Sequence, residues 1–130
     1  MNDAMTHWER IEAAIKGEAV DRPPISLWRH WPIEDDTAEG LAAATIRWQK
    51  AYDFDLVKFM PTGTFSVQDW GAETTYVHHP VGTRTVTEPG LTAADEWPRL
   101  EALDVAKGSL GRQNDAVRLT AEALADSVPI

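Results

Sequence analysis

Cysteine is absent from the 130 residues of this chain. A chain without cysteine forms no disulfide framework, has no thiolate nucleophile and binds no zinc or iron–sulfur cluster through sulfur. The absence is typical of a reducing compartment. Residues 1–8, MNDAMTHW, also lack the basic and apolar stretches of a secretory signal. These features predict a soluble protein with a cytoplasmic location.

Basic residues are scarce as well, with 12 Lys and Arg against 21 Asp and Glu and a net charge of −9. The acidic excess is spread over both halves of the chain. Nucleic-acid binding requires clustered Lys and Arg against phosphates, and anionic membrane surfaces attract the same clusters. No apolar run approaches the ~18 residues of a membrane span. We therefore expect neither nucleic acid nor a membrane as a partner.

Common catalytic motifs are missing too. The chain contains no HExxH, GxGxxG, P-loop or GxSxG pattern, which leaves metalloprotease, dinucleotide-binding, nucleotide-binding and hydrolase functions without support. His78 and His79 fall in a predicted surface turn, and adjacent residues of a regular strand face opposite sides, so the two do not share a metal. The residues thus predict no metal and no cofactor.

The sequence does contain a regular alternation of helix and strand patterns. Thr6 and Glu9 have the spacing of a capping box, and Trp8, Ile11 and Ile15 follow as an apolar stripe on one helix. The nearly continuous apolar run 54–60 is typical of a strand buried on both faces. The first half of the chain is predicted to form a helix ending at Gly17, a strand at 25–28, a helix that begins at Thr37 and a strand at 54–60. The second half is predicted to form a polar hairpin of 73–77 and 83–87 around a turn at 78–82, helices at 92–103 and 110–125, and a strand that starts at 127–130. The residues expected on the inward faces are Leu41, Thr45, Trp48 and Tyr52 in the helix from Thr37, and Leu110, Val117, Ala121 and Leu124 in the helix at 110–125.

Strands that alternate with helices predict an α/β fold with a parallel sheet. A last strand at 127–130 would leave an open sheet edge beside buried strands, which folded domains avoid. A (β/α)₈ barrel needs about 250 residues. We therefore expect residues 1–130 to form a single partial domain, the N-terminal part of a TIM barrel with a short hairpin insertion. Unpaired edges of this kind favour self-association. The alternative is a small self-contained α/β domain.

The candidate site lies after the first predicted strand, because catalytic groups of such barrels cluster at the carboxyl ends of strands. There Trp28 and Trp31 offer flat walls, Arg29 offers a planar fork for carboxylates or phosphates, and His30 exchanges protons near neutrality. Lys58 lies in the predicted buried strand and either points to an anionic ligand or extends to an acidic neighbour. The alternative is a purely structural role for these side chains. Both tryptophans would then pack in the core, and Arg29 would form an ion pair with Glu34, Asp35 or Asp36.

Residues 10–24, RIEAAIKGEAVDRPP, resemble the opening of the uroporphyrinogen decarboxylase family, in which a helix and a G-E-x-V-D-R-P-P turn lead into the first barrel strand. The resemblance continues in residues 52–59, YDFDLVKF, and in residues 112–130. It covers nearly all of this chain but only the opening portion of a typical member. The resemblance implies a (β/α)₈ barrel and the removal of acetate carboxylates from a tetrapyrrole in haem synthesis, without a cofactor.

The family binds substrate carboxylates through arginines of an M-R-Q-A-G-R-Y segment, whose first arginine corresponds to Arg29. A second family segment, F-S-D-I, provides an aspartate that faces the pyrrole nitrogens, and Pro61 and Thr62 stand at that place here. The resemblance with this departure implies a protein that binds an anionic ligand and decarboxylates uroporphyrinogen slowly or not at all.

Three functions follow from the residues and the resemblance together. The first is a uroporphyrinogen decarboxylase-like carboxy-lyase of porphyrin biosynthesis. The second is a corrinoid-dependent methyltransferase on the same barrel, whose zinc ligands would lie downstream of this chain. The third is a non-catalytic fragment or binding module. The partner expected in each case is a carboxylated tetrapyrrole or another anionic small molecule, with a second copy of the chain in a homodimer.

Overall fold

The computed structural model describes residues 4–78, 82–124 and 126–130. Within these residues lie four α-helices, two short 3₁₀ helices and two strands. None of the described helices is both long and apolar enough to cross a membrane. The elements in chain order are α1 (His7–Lys16), a 3₁₀ helix (Glu34–Asp36), α2 (Ala38–Tyr52), α3 (Phe65–Gln68), β1 (Glu73–Tyr76), β2 (Arg84–Glu88), a 3₁₀ helix (Ala94–Arg99) and α4 (Gly108–Leu124).

The predicted capping box of α1 is confirmed. The backbone N–H of Glu9 donates to the Thr6 hydroxyl over 3.2 Å, and the Thr6 N–H donates to the Glu9 carboxylate over 2.8 Å. Gly17 ends the helix in the left-handed conformation, with φ of 72°. The predicted apolar stripe is wrong, however, because Ile15 is 81% exposed while Arg10 and Ala13 are buried. An ion pair of Arg10, described below, holds this helix in place of the stripe.

Replacing Thr6 with alanine is expected to lower the free energy of unfolding by about 1 kcal/mol, because one amide of the first helical turn loses its acceptor. Urea unfolding measures the change. Thr6→Ser keeps a hydroxyl at the same place and is expected to stay close to the parent. A loss of equal size in both variants would show that the methyl group of Thr6, rather than its cap, stabilises the helix.

The main core lies where α2 packs against α4. Its buried centre contains small side chains, including Ala44 of α2 and Ala116 of α4, together with Leu41 and Trp31. Small residues let two helices approach closely, and this selects the buried face of α4. Val117, which was predicted to face inward, is therefore half exposed while its neighbour Ala116 is fully buried.

The predicted parallel barrel is contradicted by the structure. The only sheet among the described residues is the two-stranded antiparallel pair β1–β2, and segments 25–28, 54–60 and 127–130 are not strands. Single backbone hydrogen bonds join these segments, from Asp55 N to Ile25 O over 2.8 Å and from Val57 N to Pro129 O over 2.9 Å. A parallel ladder needs an evenly spaced series of such bonds.

Side chains take over backbone groups that a ladder would use. The N–H of Ile25 donates to the Asp55 carboxylate over 2.8 Å, and the Ser26 hydroxyl donates to the carbonyl of Leu56 over 2.7 Å. Pro129 has no N–H to donate. The apolar pattern corresponds to burial at Phe54, Val57 and Val128, whereas the apolar side chains of segment 25–28 are about half exposed. In neither case does it produce a parallel sheet.

The predicted hairpin is confirmed. β1 and β2 pair antiparallel, with Thr74 opposite Val86 and Tyr76 opposite Arg84. Within the predicted turn, residues 79–81 lie outside the described residues. The predicted helix 92–103 is reduced to the 3₁₀ helix Ala94–Arg99, which contains Pro98 and so loses a helical donor. The predicted helix 110–125 is confirmed as α4, and its first amides donate to the distant carboxylate of Asp69.

Candidate functional site

Segment 28–31 leads from an extended stretch into the 3₁₀ helix before α2. Trp31 is 7% exposed and its ring packs edge-on against Trp48 of α2, with centroids 5.6 Å apart. Its carbonyl accepts a hydrogen bond from the N–H of Asp35 over 2.8 Å. Trp31 thus anchors the segment in the core, while the Trp28 side of the segment stays half exposed.

Two cations lie over the two tryptophan rings. The Lys58 ammonium is 4.1 Å from the centroid of Trp28, and the Arg29 guanidinium carbon is 4.9 Å from that of Trp31. Cation–π contacts at such distances contribute about 0.5–1 kcal/mol at exposed sites. The Nε–H of Arg29 also donates to the carbonyl of His30 over 3.2 Å. The structure therefore pairs Lys58 with Trp28 and Arg29 with Trp31. The fifth predicted site residue, His30, packs its ring edge-on against Trp28, with centroids 6.2 Å apart.

A cleft of about 380 Å³ opens beside Trp31, and we call it the Trp31 cleft. Arg47 of α2 reaches the same indole as Arg29, with its guanidinium carbon 5.8 Å from the ring centroid, so one ring carries two arginines. The cleft also contains one carboxylate, Glu34, which accepts a hydrogen bond from Arg47 over 2.8 Å. The cleft is lined by Arg29, Trp31, Glu34, Arg47, Trp48, Ala51 and Tyr52.

Lys58 and Trp28 border a narrower space on the other side of Arg29. That crevice holds only about 10 Å³, which is roughly the room needed for one water molecule. Arg29 and Trp31 line both spaces, whereas Lys58 lines the narrow one. The sequence did not single out Arg47, because it lies on α2 and comes close to Trp31 only through tertiary packing.

The backbone is strained directly after this segment. Ile33 has φ of 73° and ψ of −47°. A β-branched residue at positive φ is a genuine outlier that costs about 1–3 kcal/mol and is often found at functional sites. In this turn the N–H of Asp35 donates to the carbonyl of Trp31, and the carboxylate of Glu34 accepts a hydrogen bond from Arg47.

His30 and Asp35 form a second, buried polar group. The Nδ1 atom of His30 and the Oδ2 atom of Asp35 are both buried, and neither has a hydrogen-bond partner in the described part of the chain. Burial, together with the charge of Asp36, raises the pKa of Asp35 to about 6. Asp36 itself pairs with Arg84 of β2 over 2.9 Å. Neither His30 nor Asp35 lines the Trp31 cleft.

The most extensive charge network is centred on Asp55, which the sequence did not single out. Its side chain is 1% exposed and accepts hydrogen bonds from His7, Arg10 and Arg22 as well as from the N–H of Ile25, over 2.5–2.9 Å. Burial raises the pKa of this carboxyl, but the bonds from Arg22, His7 and Arg10 outweigh burial and hold the pKa below its ordinary value. The sequence signal that could have identified Asp55 is the presence of an aspartate within the apolar run 54–60.

The same network ties together two of the three segments that carry the family resemblance, 10–24 and 52–59. Arg10 donates to Asp21 through Nε over 2.7 Å and through Nη2 over 2.8 Å, a bidentate pair. The hydrogen bonds from Arg10 hold the pKa of Asp21 well below its usual range. Arg22 of the D-R-P-P turn and Asp55 of the D-F-D-L-V run bind each other directly. In this chain these residues stabilise the N-terminal helix.

Thr62, which with Pro61 was predicted from the resemblance to stand at the family's aspartate position, is buried among hydroxyls. Its Oγ1 lies 3.5 Å from that of Thr64 and 3.3 Å from that of Thr83. Gln68 donates to the Thr64 hydroxyl over 3.3 Å. The cluster is neutral and links the segment after residue 60 to the start of β2.

Comparison of this chain with protein-family models, with curated proteins and with solved structures finds no match.

Proposed function

We propose that the Trp31 cleft binds a planar, carboxylated small molecule. The observation that carries the proposal is the placement of two guanidinium groups, Arg29 and Arg47, on one indole ring beside an open cleft. Arginine presents a flat fork of donors that fits a carboxylate through two parallel hydrogen bonds. The side chains of Trp48 and Tyr52 add aromatic surface on which a flat ring stacks.

Charge and size define the ligand further. Two arginines and one carboxylate, Glu34, line the cleft, in a protein whose net charge is −9. A volume of about 380 Å³ lies at the lower end of the ~300–1,000 Å³ range of small-molecule sites. The cleft therefore fits one carboxylated ring. A larger macrocycle would extend past Arg29 towards Trp28 and Lys58.

Of the three functions that the sequence leaves open, a binding module is supported best. The described lining of the cleft has one carboxylate, Glu34, and Arg47 binds it, while His30 and Asp35 lie elsewhere. These residues suit ion recognition more than proton transfer. The family resemblance supports a carboxylated tetrapyrrole as the ligand class. A cytoplasmic location is part of the proposal and is supported by the absence of cysteine.

The test is Arg29→Ala with binding measured by isothermal titration calorimetry. The probes are uroporphyrin, which carries carboxylates around a flat macrocycle, and benzene-1,2,3-tricarboxylate, which is one ring. We expect the variant to bind both probes about 10- to 150-fold more weakly, the effect of losing a charge-assisted contact of about 1.5–3 kcal/mol.

Arg118→Ala is the matched control, because Arg118 is an exposed arginine that pairs with Asp115 and Glu122 on α4. It removes the same charge at a distance and is expected to change the affinity less than twofold. Unchanged affinity in Arg29→Ala would contradict the proposal. An equal loss of affinity in both variants would show that the effect comes from the net charge of the protein and not from Arg29 itself.

A further inference from the structure

A second cavity of about 340 Å³ lies on the hairpin side of the molecule, and we call it the Trp70 cavity. Trp70 follows α3, Val86 belongs to β2, and Trp97 and Leu100 come from the second 3₁₀ helix and its end. The described side chains that line it are all apolar. Trp97 is 65% exposed at this place, although large aromatic residues are usually well buried.

The walls of this cavity are fixed by the chain itself. The indole N–H of Trp70 donates to the carbonyl of Glu101 over 2.9 Å, which sets the orientation of the ring. Gly90 packs so closely that a Cβ atom there would lie 2.3 Å from the carbonyl oxygen of Trp70. Only glycine permits this approach, and it holds the loop after β2 against Trp70. The cavity is therefore largely preformed, as small-molecule sites usually are.

An acidic groove of about 460 Å³ continues from the Trp70 cavity and shares Trp70, Gly90 and Leu100 with it. Three of its carboxylates are already engaged. Asp69 accepts from the first amides of α4, Glu96 pairs with Arg99, and Asp104 pairs with Lys107.

Glu101 is exposed and has no ion pair in the described part of the chain, although its carbonyl holds Trp70. The groove therefore presents one uncompensated carboxylate next to an apolar cavity. Their juxtaposition is complementary to a ligand that has an apolar body and a single positive charge.

We propose that the Trp70 cavity binds a small amine whose aromatic or branched aliphatic body fills the cavity and whose ammonium group lies against Glu101. The apolar lining provides the affinity through burial of carbon surface. The carboxylate selects cations over neutral and anionic molecules of the same shape. This site is separate from the Trp31 cleft in residues and in charge, so each can fail without the other.

The test uses three probes with one naphthalene body, namely 2-(1-naphthyl)ethylamine, 1-ethylnaphthalene and 1-naphthylacetate. Binding is followed by NMR through the indole N–H signals of Trp70 and Trp97. We expect both signals to shift, with the amine bound about 2- to 5-fold more tightly than the neutral probe and the acid more weakly than it. An exposed ion pair has an effect of this size.

Glu101→Gln is expected to abolish the preference for the amine while keeping the affinity for 1-ethylnaphthalene. The matched control Glu122→Gln removes an exposed carboxylate of α4 and is expected to keep the preference. Ala72→Leu, at a position that lines the cavity, is expected to weaken all three probes about tenfold or more. Circular dichroism of each variant verifies that the fold is intact.

Several outcomes would overturn the proposal. Indole signals that do not shift with any probe at millimolar concentration would show that the cavity takes no such ligand. Equal affinities for the amine and the acid would show that the carboxylate of Glu101 does not contact the ligand. Shifts of the same two signals with protein concentration alone would assign the cavity to a second copy of the chain.

Discussion

Asp55→Asn is expected to lower the free energy of unfolding by about 3–5 kcal/mol, the usual effect of removing one partner from a buried ion pair. The carboxylate of Asp55 is the common acceptor for Arg10, Arg22 and His7, and asparagine has no charge to offer them. Arg10 is itself buried, so part of its charge would remain in the interior without compensation. Because the free energy of unfolding of a small domain is about 5–15 kcal/mol, the variant would lose a large share of its stability.

Urea unfolding of the variant and of Asp53→Asn measures this effect. Asp53 is the matched control, because its side chain is 83% exposed and, in the described part of the chain, it forms an ion pair with His7 only. We expect the control to change the free energy of unfolding by less than about 1 kcal/mol, as for other exposed pairs. Similar losses in both variants would show that the network around Asp55 contributes no more than a surface pair.

The same network predicts the response to acid. The pKa values of Asp55 and Asp21 lie below the ordinary value of 3.8 in the folded chain. Their stabilisation is therefore fully present above about pH 4 to 5, and it is lost as the pH falls through the folded pKa values. Asp55→Asn should remove part of this acid dependence along with the stability.

Asp35→Asn is expected to act in the opposite direction, raising the free energy of unfolding by up to about 3 kcal/mol at pH 8 relative to pH 4. The pKa of Asp35 is raised from 3.8 to about 6 in the folded chain. The folded state then binds more protons than the unfolded state between these values. Stability must therefore fall as the pH rises from about 4 to 6, and the loss persists above pH 6. Asparagine cannot ionise, so Asp35→Asn removes this contribution to the pH dependence of the free energy of unfolding.

The measurement is a series of urea unfolding curves between pH 4 and 8 for the parent, for Asp35→Asn and for Asp36→Asn. Asp36 is the adjacent, exposed carboxylate that pairs with Arg84. Because burial is the larger cause of the raised pKa and the charge of Asp36 the smaller one, Asp36→Asn should keep most of the slope. A slope that survives in Asp35→Asn would assign it to another group.

Local patterns in the sequence predicted local structure well. The capping box at Thr6 and Glu9, the left-handed end at Gly17 and the polar hairpin all depend on residues close in sequence, and the structure confirms each of them. Periodicity located α2 and α4 and correctly predicted that Leu124 is buried. It was wrong at Val117, which is half exposed, because close approach of the two helices buries its neighbour Ala116.

The parallel barrel failed for a related reason. A continuous apolar run such as 54–60 indicates burial, and burial does not specify which backbone groups pair. Here the Asp55 carboxylate takes the amide of Ile25, which a neighbouring strand would otherwise need. The predicted site residues were chosen by chemical type and by their position at predicted strands. The approach of Arg29 and Arg47 to the ring of Trp31 depends on where α2 packs.

The sequence by itself therefore determined both ends of α1, the hairpin and the scarcity of positive charge, because these follow from neighbouring residues or from composition. The tertiary structure alone decided where the charges meet. Asp55 gathers donors that lie 30 to 48 positions away in the chain, and Arg47 reaches Trp31 from a different element. Electrostatic and hydrogen-bond energies depend on distances in space and on burial, and the order of residues specifies neither until the helices have packed.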